Sequence, residues 1–393
     1  MAERSLFRDR NIQIIFGVTL TAVMGVSSIT PVFPSLMKEF NITPGQIGLL
    51  ITFFTLPGVF LASVLGVLAD RFGRKRILGP SLFLFAFAGA SCAFVRDFNL
   101  LIVLRVFQGI GGASLGSINT TLIGDLYSGP RRAEAMGLNA SILSIGTAVY
   151  PAIGGALALI GWFYPFLLPV LALPVGIMVL TSLRSPEPRS RQGLKEYLGS
   201  TWSYLRNIKV LGLFTASTIT FILLYGTLLT YFTILLSERF SASSFTIGLM
   251  ITAMSLTTAA VSSQLGKISR RFSLESIIIL AFFMYGVSFL LMPIMPNLWL
   301  LLIPVAILGA GHGGNIPSLH TAVAGVAPLE YRAAFMSMNA TVLRLGQTIG
   351  PPLMALVYVS RGLNATFYVS GAIALLTALV GFTLHHLKKR VDG

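Results

Sequence analysis

The stretch Gly66–Leu78 reads GVLADRFGRKRIL and joins two long apolar segments. No charged residue occurs from Gln46 to Ala69 before its basic part, and none occurs from Ile77 to Val95 after it. Short connections rich in Lys and Arg stay on the cytoplasmic side of a membrane, because they are not readily translocated. The stretch therefore predicts two membrane-spanning helices joined in the cytoplasm, which sets the topology of the whole chain.

The composition is that of an integral membrane protein. Of 393 residues, 54% are hydrophobic and only 10% are charged, whereas soluble domains carry about 25% charged residues. A net charge of +15 could indicate nucleic-acid binding, but most of the 28 Lys and Arg fall in segments assigned to the cytoplasm. No nucleic-acid partner is therefore expected. Cys92 is the single cysteine, so we predict no internal disulfide and no thiolate metal site. We also expect no other metal site and no cofactor.

Twelve segments reach the roughly 20 mainly apolar residues that a spanning helix needs. They lie at about 11–36, 46–69, 77–95, 99–124, 134–159, 163–183, 209–236, 245–266, 275–295, 298–323, 333–359 and 364–386. The first segment is too long for a signal-peptide core and is expected to remain as a helix. An even number of crossings places both termini on one side, and their basic residues predict that this side is the cytoplasm. The fold class is thus an all-α membrane protein.

One long hydrophilic segment divides the chain. Residues 185–208 begin with a Pro-rich basic stretch and continue with apolar residues at helical spacing, namely Leu194, Tyr197, Leu198, Trp202 and Leu205. This pattern predicts an amphipathic helix on the cytoplasmic face of the bilayer. We expect an N-terminal six-helix bundle at 1–184, a linker at 185–208 and a C-terminal six-helix bundle at 209–393.

The chain also matches itself when it is shifted by 200 residues. The register pairs Ile47-Gly48-Leu49 with Ile247-Gly248-Leu249, Arg71-Phe72 with Arg271-Phe272, Asn139-Ala140 with Asn339-Ala340, and Pro151 with Pro351. Shared apolar composition would not bring Arg, Asn and Pro into register. The match therefore predicts two parallel six-helix repeats. The second copy of the opening stretch has Arg270 and Ser273 where the first has Asp70 and Gly73.

The opening stretch also carries a family resemblance. The stretch resembles the signature loop between helices 2 and 3 of the major facilitator superfamily of secondary transporters, both in the spacing of its glycines, acid and basic cluster and in its context. The matching residues are Gly66, Leu68, Ala69, Asp70, Arg71, Gly73, Arg74 and Lys75. The resemblance implies twelve helices and transport by alternating access. It also implies a cytoplasmic latch that must break in the inward-open state, formed here by Gly66, Asp70, Arg71, Gly73, Arg74, Asp125 and Arg132. The alternative is a set of solvated interfacial charges.

Two further stretches resemble patterns of this family. Arg105-x-x-Gln108-Gly109 in helix 4 resembles a pattern whose arginine is thought to serve proton transfer or substrate contact. An arginine at this depth must face protein or water; alternatively, Arg105 snorkels to the outer surface. Helix 5 resembles the antiporter motif and would act as a hinge, unless it is a generic Gly- and Pro-containing helix. The hinge residues are Gly146, Tyr150 (where the family has a glycine), Pro151, Gly154 and Gly155, with Gly350 and Pro351 in helix 11.

The middle of the membrane holds no acid. None of the 13 Asp and Glu lies centrally in a helix, whereas Arg344 and His312 do. This inventory favours a neutral or anionic substrate with Arg344 as its anion contact, unless Asn339 and Gln347 bind Arg344 for structure alone. A histidine titrates near neutral pH, so His312, beside Asn315, is the candidate proton carrier, unless it is a packed neutral histidine. Tyr225 in helix 7 is a further substrate candidate.

These observations combine into one predicted function. We expect a monomeric secondary active transporter of the cell (inner) membrane, closest to the drug:proton antiporter branch, which exports small amphipathic molecules in exchange for protons. Its expected partners are the substrate, protons and the lipid bilayer. The alternative is an organic-anion or lipid carrier of the same fold, with or without proton coupling. An enzyme is not expected, because no metalloprotease motif, paired carboxylates or Ser-His-Asp constellation is present.

Overall fold

The computed structural model describes residues 6–184, 208–326 and 332–392. Within these ranges the chain forms helices and no strands, and eleven helices are long and apolar enough to cross a membrane. In chain order these are α1 Arg10–Glu39, α2 Pro44–Phe72, α3 Arg74–Phe94, α4 Phe98–Leu126, α5 Gly129–Ile160, α6 Tyr164–Ser182, α7 Lys209–Phe240, α8 Ser244–Ile268, α9 Leu274–Ile294, α11 Arg332–Arg361 and α12 Leu363–Asp392. The 25-residue helix Leu302–Val326 is α10, and its interior contains several glycines, His312 and Asn315.

The twelve predicted segments are therefore confirmed as helices, with shifted ends. The structure begins α5 at Gly129 rather than at residue 134 and begins α10 at Leu302 rather than at residue 298. Both termini of a helix are set by local capping and turn geometry, which hydropathy does not report. The amphipathic helix predicted within 185–208 lies outside the described residues and stays a prediction.

The basic stretch that opened the sequence is almost entirely helical. Arg71 lies in the last turn of α2, and Arg74 begins α3, so only Gly73 separates the two helices. Gly73 has a φ of 98°, a conformation that glycine adopts readily and side-chain-bearing residues avoid. The expected loop is thus a one-residue turn, and its charges belong to two helix ends.

Helices α1–α6 pack into one bundle and α7–α12 into another, and the bundles meet where α2 lies against α11 and α5 against α8. A Cβ on Gly48 would lie 2.8 Å from Cβ of Pro351, and a Cβ on Gly248 would overlap the carbonyl of Pro151. These four residues are the partners that the 200-residue register pairs. The same crossing therefore occurs twice, which confirms the two predicted repeats.

The bundles are closed at one side of the molecule and separated at the other. We call the side at Gly73 the loop side and the opposite side the far side. Toward the far side, Thr52 Oγ1 donates to the Thr348 carbonyl at 3.0 Å, and its register mate Thr252 Oγ1 donates to the Ala148 carbonyl at 2.6 Å. On the loop side, no atom lies within 4 Å of a Cβ built on Gly66, Gly137 or Gly266. The helices therefore cross at the far side and diverge toward the loop side.

The far-side closure predicts a strong effect of one added methyl group in α5. A Cβ at Gly155 would overlap the carbonyl of Ser244 in α8, so Gly155→Ala should destabilise this closed state by about 1–3 kcal/mol. The unfolding temperature in detergent should fall, and maleimide labelling of a Ser35→Cys reporter at the α1–α8 contact should speed up.

Gly137→Ala is the matched control, because it adds the same methyl group to the same helix at an open position. Equal effects of the two substitutions on labelling would contradict the closed far side.

Candidate functional site

Arg105 in α4 is the largest fully buried side chain among the described residues, with 1% of its surface exposed. Nε donates to the Leu50 carbonyl of α2 at 3.1 Å, Nη2 to the Gly25 carbonyl of α1 at 2.9 Å, and Nη1 to Oε1 of Gln108 at 2.6 Å. The guanidinium also lies 4.4 Å from the centroid of the Phe54 ring. Arg105 therefore ties three helices of the first bundle together and does not snorkel to the outer surface.

The equivalent place in the second bundle has a different composition. The register pairs Arg105, Gln108 and Phe54 with Val305, Leu308 and Met254, so the cation, the amide and the large ring are all replaced. A small cavity of about 10 Å³ lies here, and its lining residues are Thr220, Leu223, Leu224, Met254, Tyr285, Phe289, Leu308 and His312. The second bundle thus has a partly polar cavity where the first is filled.

A hydrogen-bonded group of four side chains forms the polar end of this cavity. His312 Nδ1 lies 2.9 Å from the Tyr285 hydroxyl. Asn315 Nδ2 donates to the Tyr285 hydroxyl at 3.2 Å and to Thr220 Oγ1 at 2.8 Å. Sequence reasoning named His312 and Asn315 but missed Tyr285 and Thr220. The available signal was the register, since Tyr285 replaces Phe85 at the same position of the first repeat.

Arg344 occupies a different place, at the contact between the two bundles. Its side chain lies along α2, so that a Cβ on Gly58 would be 3.3 Å from Arg344 Cδ. Its hydrogen bond is a long one, from Nη1 to Gln347 Oε1 at 3.4 Å, and the described residues place no carboxylate within 4.0 Å of it. Arg344 is half-buried. This guanidinium therefore keeps donors free for a further partner.

Helix α7 approaches Arg344 with an unusual winding. Residues Ile222–Phe232 form a π-helix of 11 residues, a form that often occurs at functional sites. Within it, the Tyr225 phenol lies close enough to Arg344 to interact with it electrostatically. A Cβ on Gly226 would lie 2.6 Å from the Gly350 carbonyl of α11. The close crossing of α7 and α11 thus brings the predicted substrate residues Tyr225 and Arg344 together.

Asn339, a further predicted site residue, is separate from this pair. Its side chain is 1% exposed, and its Oδ1 has no hydrogen-bond partner in the described structure. Its register mate Asn139 accepts a hydrogen bond of 2.5 Å from Thr19, which in turn accepts from Asn119. The two repeats therefore use the same asparagine position in different surroundings.

The predicted gating charges meet on the loop side within the first bundle. Arg74 contacts Asp70 at 3.1 Å and Asp125 of α4 at 2.8 Å. Arg132 donates to the Gly124 carbonyl, whereas Arg71 is exposed and stacks on Phe72. Asp70, Arg74 and Asp125 thus form one cluster, with Arg71 outside it and Gly66 in open space.

A second tie on the loop side anchors the N-terminal segment. The Tyr127 hydroxyl donates to Asp9 Oδ2 at 2.8 Å, and Asp9 Oδ1 caps α1 by accepting from the backbone N–H of Asn11. Burial and the hydrogen bond to Asp9 raise the pKa of the Tyr127 phenol. The chain before α1 is thereby fastened to the turn between α4 and α5.

The predicted hinge residues all lie at close helix crossings. Gly154 lies against Ser28 and Gly155 against the Ser244 carbonyl, while Gly146 faces Leu20 at 3.1 Å. Tyr150 is buried next to Pro151, and α5 continues as one helix of 32 residues through that proline. Gly350 and Pro351 occupy the corresponding crossings of α11. Gly155, Pro151 and Pro351 lie where the bundles touch, whereas Gly146 and Gly154 pack on α1 and Gly350 on α7 within one bundle. The role of these residues as hinges stays a prediction.

The described residues contain no group of three or more His, Cys, Asp or Glu that could hold a metal ion.

Comparison with known proteins agrees with this architecture. The family model described as Major Facilitator Superfamily matches residues 15–240 and 219–392. The bacillibactin exporter of Bacillus subtilis (strain 168) is 34% identical over 164 residues, which span 40% of this chain and 41% of that protein. The class B tetracycline resistance protein of Escherichia coli is 26% identical over 87% of this chain and 86% of its own. The crystal structure of the nucleoside transporter NupG superposes with a TM-score of 0.81 at 15% identity, covering 95% of this chain and 99% of that one.

Matches over both repeats show that the chain belongs to the Major Facilitator Superfamily. It is therefore a multi-pass membrane protein and a transporter rather than an enzyme.

The bonding of Arg105 generates a prediction about stability. Lysine cannot reach two carbonyls and an amide in the planar geometry of a guanidinium, so Arg105→Lys should destabilise the first bundle by about 3 kcal/mol. Thermal unfolding in detergent measures the effect. Arg96→Lys is the control, because Arg96 is a surface residue near Glu39 and Trp162. An unchanged unfolding temperature together with lost transport would instead support the predicted substrate or proton role.

Proposed function

We propose that this transporter exports small amphipathic molecules, neutral or anionic, in exchange for protons by alternating access. The observation that carries the proposal is the half-buried Arg344, which faces the other bundle without a carboxylate partner among the described residues. A cation in a region of low polarity is costly unless it is paired. An anionic substrate group would supply the missing partner, and a cationic substrate would be repelled.

The proposed orientation places the loop side in the cytoplasm. The basic residues at the ends of α2 and α3 support this assignment, and the two termini lie on the same side after an even number of crossings. In this orientation the structure is closed toward the outside and open toward the cytoplasm. The conformation described above would then be the inward-open state, in which an exporter receives its substrate.

Relatives support export as the direction. The bacillibactin exporter is a partial match, and the tetracycline and NorA quinolone resistance proteins are named for resistance to drugs. Efflux of the compound is the mechanism by which a membrane transporter confers resistance. We carry this direction over to the present chain as part of the proposal, without assigning a particular compound.

The proposed mechanism gives separate roles to the described groups. The bundles 1–184 and 209–393 rock about the crossings of α2 with α11 and of α5 with α8, with residues 185–208 as the linker. The charged cluster Asp70, Arg74 and Asp125 holds together the first bundle's side of the cytoplasmic latch, which would meet the second bundle only when the loop side closes. Arg344 with Tyr225 contacts the substrate. His312 carries the coupling proton. We propose that one chain is sufficient for this cycle in the bilayer.

An organic-anion or lipid carrier is the second candidate, since the free donors of Arg344 suit a permanently anionic substrate equally well. Reconstitution into liposomes with an imposed pH gradient separates the two candidates. Substrate-dependent proton flux supports the antiporter, whereas uptake that ignores the pH gradient supports the carrier.

The charge of the substrate is tested by ligand-induced shifts of the unfolding temperature. Purified protein should be stabilised by neutral and anionic members of a panel of amphipathic drugs. Arg344→Gln should lower the apparent affinity for anionic compounds roughly tenfold, so that these compounds no longer raise the unfolding temperature. The shifts caused by neutral compounds should stay nearly unchanged.

Arg361→Gln, at the exposed end of the same helix, is the matched control for this measurement. Stabilisation of the wild-type protein by cationic compounds alone would contradict the proposed substrate class.

The proton role of His312 is tested by separating driven from downhill transport. His312→Gln keeps a polar side chain but cannot take up a proton at ordinary pH. We therefore expect proton-driven accumulation in liposomes to be lost, while exchange of labelled for unlabelled substrate without a gradient continues. His320→Gln, two turns further along α10, is the control and should keep both activities. Retained accumulation in His312→Gln would remove His312 from the mechanism.

A further inference from the structure

The directions of the hydrogen bonds at His312 follow from the donors that are present. Asn315 Nδ2 carries two hydrogens and uses them on Thr220 Oγ1 and on the Tyr285 oxygen. The Tyr285 oxygen therefore accepts from Asn315, which leaves its own hydrogen for His312 Nδ1. When Tyr285 donates that hydrogen, Nδ1 is unprotonated and the neutral ring carries its hydrogen on Nε2. This distance and these donors are therefore those of a neutral His312 that accepts from Tyr285.

One atom of this group lacks a partner. Asn315 is fully buried, and its Oδ1 has no hydrogen-bond partner in the described structure. A buried amide oxygen without a donor is unfavourable, and half a turn of the amide would give this oxygen donors while leaving Nδ2 without an acceptor in its place. Rotation of the amide by half a turn would place Oδ1 where Nδ2 now lies, toward Tyr285 and Thr220. The unpartnered oxygen therefore points to a second arrangement of the same four side chains.

We propose that Tyr285 and Asn315 are positioning residues of the proton site, which reverse their hydrogen bonds when His312 takes up a proton; this inference rests on the proposed proton coupling. The incoming proton adds to Nδ1, and the imidazole becomes a cation that donates to the Tyr285 oxygen. Tyr285 keeps its own proton and turns it toward Asn315 Oδ1, which now accepts it. No further proton moves, and the net change is one positive charge on His312.

The surroundings leave this response to the four side chains. Helix α9 supplies Tyr285, α7 supplies Thr220, and α8 supplies Met254, while the charged Arg344 of α11 lies against Gly58 of α2 instead. Tyr225 of α7 also faces Arg344, and the described residues place no charged side chain in electrostatic contact with His312. The Tyr285 hydroxyl is therefore the group best placed to respond to the imidazolium.

Reversal would transmit the charge of His312 to α7. The bond from Asn315 Nδ2 to Thr220 Oγ1 joins α10 to α7. It is lost when the amide turns, because the Thr220 hydroxyl already donates its hydrogen to the Ala216 carbonyl. Thr220 lies directly before Phe221 and the π-helix Ile222–Phe232. That π-helix contacts Gly350 through Gly226 and carries Tyr225 beside Arg344. Proton uptake at His312 is thereby linked to the crossing that holds the proposed anion contact.

The first bundle shows why this response belongs to the second. At the equivalent place, Arg105 is bonded to two backbone carbonyls and to Gln108, and Phe85 stands where the second bundle has Tyr285. Those bonds have one direction only, because a guanidinium donates and a carbonyl accepts. A hydroxyl and an amide, in contrast, can each donate or accept. At this place, among the described residues, the second bundle has the groups that can reverse and the first does not.

The test is the titration of His312 followed by nitrogen NMR of the ¹⁵N-histidine-labelled protein in detergent micelles, without substrate. His312→Gln assigns the signal. We expect the neutral His312 ring to be protonated on Nε2. In Tyr285→Phe, the midpoint of the His312 titration should move to lower pH than in the wild-type protein, by about half to one unit. The hydroxyl bonds the imidazolium more strongly than the neutral ring, so its loss penalises the protonated form more.

Tyr358→Phe is the matched control, because Tyr358 stacks on Tyr231 in a different part of the second bundle. An unchanged midpoint in Tyr285→Phe, or one shifted to higher pH, would overturn the proposal, since a fixed Tyr285 donor stabilises only the neutral ring.

Asn315→Ala supplies a second variant if Tyr285→Phe folds poorly. Its midpoint should also move to lower pH, and the double variant should shift by less than the sum, because both residues act on the same bond. Additive shifts would contradict the joint reversal.

Proton flux in liposomes is measured separately. Transport by the wild-type protein without proton flux would refute the proposed antiport. Proton-coupled transport together with an unmoved midpoint of the His312 titration would refute only the reversal.

Discussion

Glycine against proline at two symmetric crossings is the contact on which the rest of this structure depends. Gly48 lies on Pro351 and Gly248 on Pro151, and the neighbouring threonines Thr52 and Thr252 bond to carbonyls of the opposite bundle. Without hydrophobic driving force between helices in a bilayer, such close approach of small residues supplies the attraction. Because both crossings lie toward one side, the bundles can separate at the other side and still remain joined.

The two repeats have divided their tasks. In the first bundle, Arg105 bonds to two carbonyls, and the charged cluster at Arg74 ties α2, α3 and α4 together. In the second bundle the equivalent interior contains a cavity, neutral polar groups and a π-helical segment. The groups around Arg105 thus have fixed donor and acceptor roles, whereas the neutral polar groups at the equivalent place of the second bundle can each donate or accept. Such a division is open to a duplicated sequence, since one copy can preserve the fold while the other changes.

Hydropathy, basic-residue placement and the 200-residue register predicted the twelve helices and the repeats, because these depend on periodicity that is local in sequence. The register even paired Gly48 with Gly248 and Pro151 with Pro351. It could not show that Gly48 touches Pro351, because that contact joins helices from different bundles. Arg105 illustrates the same gap: its depth was evident, but its bonds to Gly25 and Leu50 required the packed structure. Tyr285 was missed because a single tyrosine in an apolar helix resembles ordinary packing.

The length of α5 has a consequence for the surrounding lipid. At 1.5 Å per residue, its 32 residues extend about 48 Å, whereas the hydrocarbon core of a bilayer is about 30 Å thick. The helix must therefore tilt or project beyond the lipid tails, and a change in acyl-chain length alters the preferred tilt. Because α5 also carries the crossing with α8, a change in its tilt would change the angle between the bundles. The thickness of the host membrane would then bear on the balance between the conformations.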